Sequence, residues 1–595
     1  MPSPLLRSLA VALASLAVGV PSAHAATAAD LDAEIGAIVD TTATQWAALI
    51  RADDVFQNPY PWNIAAGHSS FSPPMLTYAV QRVGERTGNA ALLAAAERAW
   101  PRSVDASRAS SFEMIGAAYA ARHLALSPER RAQLTSYLAA YNVPIIGRRC
   151  LLRPLCWSNL KLVDALAVLA ITRLGVVAAD PRQRLGNPAA ARAAALAVVD
   201  VRLPQVSHRT LAARSRGKLL QGAIISDPPK DPLAYHALTA FMLHEAIELL
   251  GRQASKQAVR AERDAMEALS ALMAPDGDVS YLGRGQGQVW VPALAAGALA
   301  GGAADAAAKR PVRAARYLAG AQRAVRRLAA LHASPAGLQL VPGAAARTTH
   351  AGIDGYAHDV AYNGLALFGL LRAQDALAAT PAVRVGTRIP ADRRLELVDN
   401  NGGGGVGIVA DGRTWLAVHR SSKDPGDLRQ DIGALALKRR TPAGWVDLLA
   451  PRPLTAAAPQ SQGPALIRRG VAITADGFEL RADGRTVDVR GGFRIRKRLL
   501  ARLEMRWRLT RRGARLTVRG AKPGRTYRFL AFTQEGTGVA ARRSLEAFGA
   551  RWRFSRPIRV ARIPGYHSGP VERLDALEAR LTAPRSGRFS VTIGA

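Results

Sequence analysis

The stretch TPAVRVGTRIP, residues 380–390, decides the fold, because the pattern of the chain changes there. Just before it, NGLALFGLLRAQDALAA (363–379) is apolar nearly all round at helical spacing, the mark of a helix buried between neighbours. Just after it, TWLAVHR (414–420), LEMRWRLTRR (503–512) and RFSVTIGA (588–595) are short, alternate polar with apolar, and are separated by DG, GG, PG and SG turns. That is the period of antiparallel strands. Further upstream the helical pattern recurs in LTYAVQRVGERTG (76–88), SSFEMIGAAYAARHLAL (110–126), AYHALTAFMLHEAIELLG (234–251) and AARYLAGAQRAVRRLAALHA (314–333). Many of these segments stop at Gly or run into Pro, as helix ends do. The reading is a multi-domain α + β chain. Residues 30–382 form an α/α toroid, an incomplete barrel of helical hairpins, and residues 385–595 an antiparallel β-sandwich.

Residues 1–25 read as a signal peptide: Arg7 precedes the apolar run LAVALASLAVGV, and Ala23-His24-Ala25 offers a small-x-small cleavage pattern. The expectation is a secreted protein, extracellular or periplasmic, with no membrane span. Cys150 and Cys156 are the only cysteines and would form a disulfide in an oxidising compartment. They lack the company of a metal site. Lys and Arg number 80 against 45 Asp and Glu, a formal net charge of +35. No basic run of the nucleic-acid-binding kind appears. A positive field outside the cell attracts acidic polysaccharides, although a global sum does not locate a site.

Residues able to do chemistry gather in loops and helix starts of the helical half. NPYPWNIAAGHSSFSPP (58–74) carries Trp62 and His68, and CWSNLK opens a helix at Asn159. SDPPKDPLAYHALTAFM leads into Tyr235 and His236. DGDVSYLGRGQGQVW (276–290) sets Tyr281, Arg284, Gln286, Gln288 and Trp290 on a glycine-interrupted backbone, as donors and sugar-stacking faces. THAGIDGYAHDVAYNG (349–364) packs together His350, Tyr356, His358, Tyr362 and Asn363.

The order of these motifs resembles the heparinase II/III-like and alginate-lyase-like polysaccharide lyases. Asn159 matches their site asparagine at a helix start, and Tyr235 the position of their catalytic tyrosine. GRTWLAVHRSSKDPGDLRQDIG resembles the first strands of their sandwich. There the family's His-x-His-x-Asp-x-Gly reads DLRQDIG here, with both histidines missing and His419 and Arg429 nearby. The resemblance implies β-elimination on a uronate-containing polysaccharide without a cofactor. Asn159 and Arg284 would neutralise the carboxylate, while Tyr235 and His358 would move protons. No resident metal is expected. The rival readings are a glycoside hydrolase of uronic-acid glycans on the same toroid, using a pair drawn from Asp227, Asp231, Asp276, Asp278, Asp354 and Asp359, and a non-catalytic binding protein.

Overall fold

The computed structural model describes residues 26–57, 73–104, 110–142, 158–203, 209–215, 218–225, 233–282, 285–342, 359–386, 394–399, 405–420, 432–451, 463–495, 498–568 and 572–595. Twelve α-helices are among them: α1 (Ala28–Ala48), α2 (Pro73–Thr87), α3 (Ala90–Ser103), α4 (Ser111–His123), α5 (Pro128–Ala139), α6 (Ser158–Arg173), α7 (Pro188–Ala197), α8 (Leu233–Leu250), α9 (Lys256–Leu272), α10 (Trp290–Ala307), α11 (Pro311–His332) and α12 (Asp359–Ala378). Every second helix belongs to an inner ring. α2 touches α4, α4 touches α6, and the circuit continues through α8, α10 and α12 back to α2. The remaining helices pack outside, each against an inner partner. The circuit of contacts among the described helices is therefore closed.

The sequence explains this division. Inner helices are buried on every side, as in α8, where all but two residues are inaccessible. Outer helices such as α9 and α11 bury one face only. Where inner helices cross, small residues let the backbones approach. A Cβ on Gly297 of α10 would lie 2.7 Å from the Gly369 carbonyl of α12. Three inner helices are also tied by charge. The Tyr119 hydroxyl of α4 donates to Glu245 of α8 at 2.6 Å, and Arg372 Nε of α12 donates to the same carboxylate at 2.8 Å. Burial would raise the Glu245 pKa, but the Arg372 and His244 charges together with the Tyr119 and Arg372 hydrogen bonds outweigh it and hold the carboxyl below its ordinary range.

The antiparallel half forms two large sheets. The smaller has seven strands: β1 (Arg209–Ser215), β2 (Lys218–Ile224), β3 (Arg394–Asp399), β4 (Val406–Ala410), β5 (Thr414–His419), β6 (Gly433–Thr441) and β7 (Gly444–Asp447), in the order β2-β1-β3-β4-β5-β6-β7. The larger has twelve strands, drawn from residues 465–594. Its Val487, Val489, Met505, Trp507 and Leu516 share a core with Val409, Leu416, Val418 and Leu437 of the smaller sheet. The opposite face of the smaller sheet, through Ile408, Trp415, Ala417 and Leu435, packs on Leu233, Ala268, Leu272 and Tyr281 from the helical half. The small sheet is thus a middle layer covered on both sides, which is why β4 and β5 are buried along their whole length and TWLAVHR, expected to alternate, does not.

One feature departs from the two-block reading. β1 and β2 arise inside the helical half, between α7 and α8, yet β1 pairs antiparallel with β3, from Arg209 opposite Asp399 to Arg214 opposite Arg394. The 30–382 block is therefore not purely helical; it lends a hairpin to the edge of the sheet that follows it.

Candidate functional site

Most links from an inner helix to the next outer helix are short, as at Thr87 to Ala90 and Ala307 to Pro311, while the link from Arg173 to Pro188 is long. Contacts fix the direction of several inner helices. Tyr119, Glu245 and Arg372 meet toward the C-terminal ends of α4, α8 and α12, and Tyr235, Trp290 and Tyr362 toward the N-terminal ends of α8, α10 and α12. So α8 and α12 run the same way, with α10 beginning and α4 ending alongside them. The N-termini of α8, α10 and α12 therefore gather at one end of the ring. That geometry collects residues scattered along the sequence. Asn159 lies in the first turn of α6, Tyr235 in that of α8, Trp290 opens α10, and Tyr362 and Asn363 lie in the first turns of α12. Helix N-termini also carry unpaired backbone N–H groups and partial positive charge, which suits an anionic ligand. The residue that precedes α10, Val289, has no side chain able to cap these groups.

Three of the aromatic rings touch in series. Tyr235 meets Trp290 edge-on at 5.4 Å between centroids, and Trp290 meets Tyr362 at 5.9 Å. Trp290 Nε1 donates to Gln288 Oε1 at 2.7 Å. Gln288 is fully buried and holds the indole through this bond. Trp290 itself is 2% exposed, so its ring packs between the two tyrosines. Asn363 is buried with its Nδ2 donating to the Asp359 carbonyl at 3.1 Å, while its Oδ1 has no hydrogen-bond partner among the described residues. Gln286 Oε1 is buried and similarly unmatched. His419 is buried at the end of β5, opposite Gly433.

Two expected sugar contacts are structural pins instead. His236 receives the Ile225 N–H at Nδ1 (3.2 Å) and donates from Nε2 to the Ala265 carbonyl (3.1 Å), so both ring nitrogens are occupied by backbone. Burial lowers its pKa to about 4 and keeps it neutral. Tyr281 donates its hydroxyl to the Leu272 carbonyl at 2.7 Å and sets its ring edge-on against Trp415 of β5 at 5.3 Å. The ring is 6% exposed.

The glycine-interrupted stretch around Tyr281 is a seam between helices and sheet. Gly277 adopts φ +88°, and a Cβ there would lie 2.2 Å from the Arg323 carbonyl oxygen of α11. Beside it Asp276 and Asp278 enter a buried group of five charges. Lys438 Nζ of β6 lies 2.7 Å from Asp276 and 2.6 Å from Asp447 of β7, while Arg327 of α11 pairs with Asp276 and, at 3.2 Å, with Asp278. Burial opposes ionisation of Asp276, yet Arg327 and Lys438 bring its pKa down to about 2. A small cavity of about 40 Å³ adjoins this group, lined by Ser280, Gln286, Arg327 and Asp447.

Sequence reasoning missed Lys438 and Arg327, and no local motif announces either. It also missed His244, Glu262 and Asp305, whose ligand atoms lie within 4.8 Å of one another on α8, α9 and α10. Here one nitrogen, His244 Nδ1, faces both carboxylates, at 2.7 Å from Glu262 and 3.5 Å from Asp305. Burial would lower its pKa, but Glu262 overcomes this and raises it to about 9. The arrangement is that of an imidazolium shared by two acids.

Trp62, His68, Arg284, His350, Tyr356, His358, Arg429, Cys150, Cys156 and the leader-like segment 1–25 lie outside the described residues. Among the described residues no helix is long and apolar enough to cross a membrane.

No protein-family model matches the chain, and no curated protein matches it in sequence. Among solved structures it is similar to the chondroitin AC lyase of Streptomyces coelicolor A3, determined in complex with chondroitin sulphate. The identity is 14%, the match covers 95% of this chain and 79% of that one, and the TM-score is 0.43. At that level the likeness says nothing about substrate.

Proposed function

We propose that this protein is an exported polysaccharide lyase that cleaves a uronate-bearing chain by β-elimination at the end of the ring where the inner helices begin. The observation that carries this reading is the placement of Asn159, Tyr235, Trp290, Tyr362 and Asn363 on inner-helix first turns, with Tyr235, Trp290 and Tyr362 in ring contact. Elimination removes a weakly acidic proton beside a carboxylate, so charge must be neutralised where it develops. Asn159 and Arg284 supply that neutralisation in this reading. Tyr235 takes the proton or returns one to the leaving oxygen, with His358 as the second proton-transfer group. The converging positive helix ends hold the uronate.

The hydrolase alternative needs two carboxyl groups facing a glycosidic bond. Asp276 and Asp278 are committed to Arg327 and Lys438, which takes two of its six candidates away. Elimination leaves an unsaturated uronate absorbing at roughly 230 nm, whereas hydrolysis releases reducing ends without it. Incubation with alginate, chondroitin sulfate and heparan sulfate should give both signals together on one of them. Tyr235→Phe should abolish both with the melting temperature nearly unchanged. Reducing ends alone would assign a hydrolase, and retention of the polysaccharide with neither signal would assign a binding protein.

A further inference from the structure

We infer that the solvent face of the twelve-stranded sheet is a second, non-catalytic docking surface for a sulfated or carboxylated polysaccharide chain. It takes its ligand class from the reading above but stands on a separate part of the molecule. A groove of about 420 Å³ runs across the strands Thr486–Ile495, Arg498–Thr510 and Gly513–Arg519. Alternation explains its chemistry. Val487, Val489, Met505, Trp507, Leu516 and Val518 point into the core, which turns Arg490, Arg506, Arg508, Arg515 and Arg519 outward, and Arg588 joins them from the turn before the last strand.

The acids of this face do not balance its arginines. Arg506 pairs with Asp488 at 2.6 Å, and Arg490 with Glu479 at 3.0 Å. Arg515 reaches only the Ser590 hydroxyl, at 3.1 Å. Arg508, Arg519 and Arg588 have no ion pair among the described residues. Moreover, Arg508 stands directly opposite Arg515 on the neighbouring strand. Like charges in that position repel, and an anion lodged between them would relieve the strain. Guanidinium forks suit carboxylate and sulfate groups. Strand residues rise about 3.3 Å each, so the face from Arg515 to Arg519 spans about 13 Å. That length fits several sugars of a chain better than a single small anion. Scattered arginine on a chain of net charge +35 attracts polyanions anywhere; this face differs in being concave and in setting its excess on adjacent strands.

The test is binding to immobilised heparin in 0.15 M salt, read by affinity and not by turnover. The triple variant Arg508→Gln, Arg515→Gln, Arg519→Gln should lose about tenfold or more in affinity, since each loss removes a charge-assisted contact. A control removing the same charge from exposed sites of the helical half, Arg252→Gln, Arg260→Gln, Arg310→Gln, should lose about threefold at most through the general field. Melting temperatures of both variants verify folding. Equal losses in the two triples, or none in the first, overturn the proposal. So does a DNA oligonucleotide displacing the protein from heparin as well as free heparin does. Because turnover is not measured, a protein that fails the ultraviolet assay but passes this one refutes the lyase reading and leaves the docking face standing.

Discussion

His244 illustrates how much one side chain can depend on neighbours far along the chain. Its imidazole is buried on α8 and held charged by Glu262 of α9, with Asp305 of α10 alongside. The folded pKa, about 9, lies above the ordinary value of 6.5. A raised pKa means the folded state binds the proton more tightly, so the stability it supplies is fully present below pH 6.5 and is lost as pH rises through 9. The shift corresponds to about 3 kcal/mol at most. Denaturant melts of wild type should weaken between those two pH values, and His244→Gln should be less stable at pH 6 but flatter across the window. A wild-type profile with no slope there, or one unchanged by the substitution, would refute the linkage. Nothing in the sequence marks this residue, since His244, Glu262 and Asp305 belong to three separate helices. The same blindness affected His236 and Tyr281. Their residue types suggested ligand contacts, and only the positions of the Ile225 amide and the Ala265 and Leu272 carbonyls reveal them as pins.

At the scale of elements, the inner helices were legible because their apolar character runs right round, and the strands of the larger sheet because they alternate. The hairpin β1–β2 was not. RTLAARS and KLLQGAI mix polar ends with short aliphatic centres that fit neither period clearly, so only pairing with β3 settles their state. The seam at 276–290 was read for its donors, whereas its glycines serve close packing. Substitutions separate these ideas. Gly277→Ala forces a Cβ to 2.2 Å from the Arg323 carbonyl at φ +88° and should cost about 2–4 kcal/mol. Gly175→Ala also sits at positive φ, +72°, but meets nothing within 4 Å, and should cost about 1 kcal/mol. Urea denaturation of the two variants checks the difference; equal costs would mean that α11 yields easily and the seam is not tightly packed.

For the whole molecule, the sheet-to-helix contact determines whether the halves behave as separate bodies. Ile408, Trp415, Ala417 and Leu435 are buried against Leu233, Ala268, Leu272 and Tyr281, and the Lys438 charge group lies close by. Leaving Lys438 or its acids unpaired inside protein would be costly, typically about 3–5 kcal/mol. The expectation is one calorimetric transition for the full chain. A fragment ending at residue 386 should be insoluble or only partly folded, since it exposes that apolar face and strips β1 of its partner. A soluble fragment melting at the temperature of the full chain would show the halves to be independent.

The hairpin has a consequence for how the chain is made. On a ribosome β1 and β2 emerge long before Arg394–Asp399, so throughout the synthesis of the stretch between Ser215 and Arg394 β1 offers an unpaired edge with nothing of its own to close it. The helical ring can assemble around the hairpin from local contacts, but the sheet must wait for a partner from the distant second half. Folding should therefore be gated by this late, long-range closure, with the waiting edge as the point most exposed to mispairing between neighbouring chains.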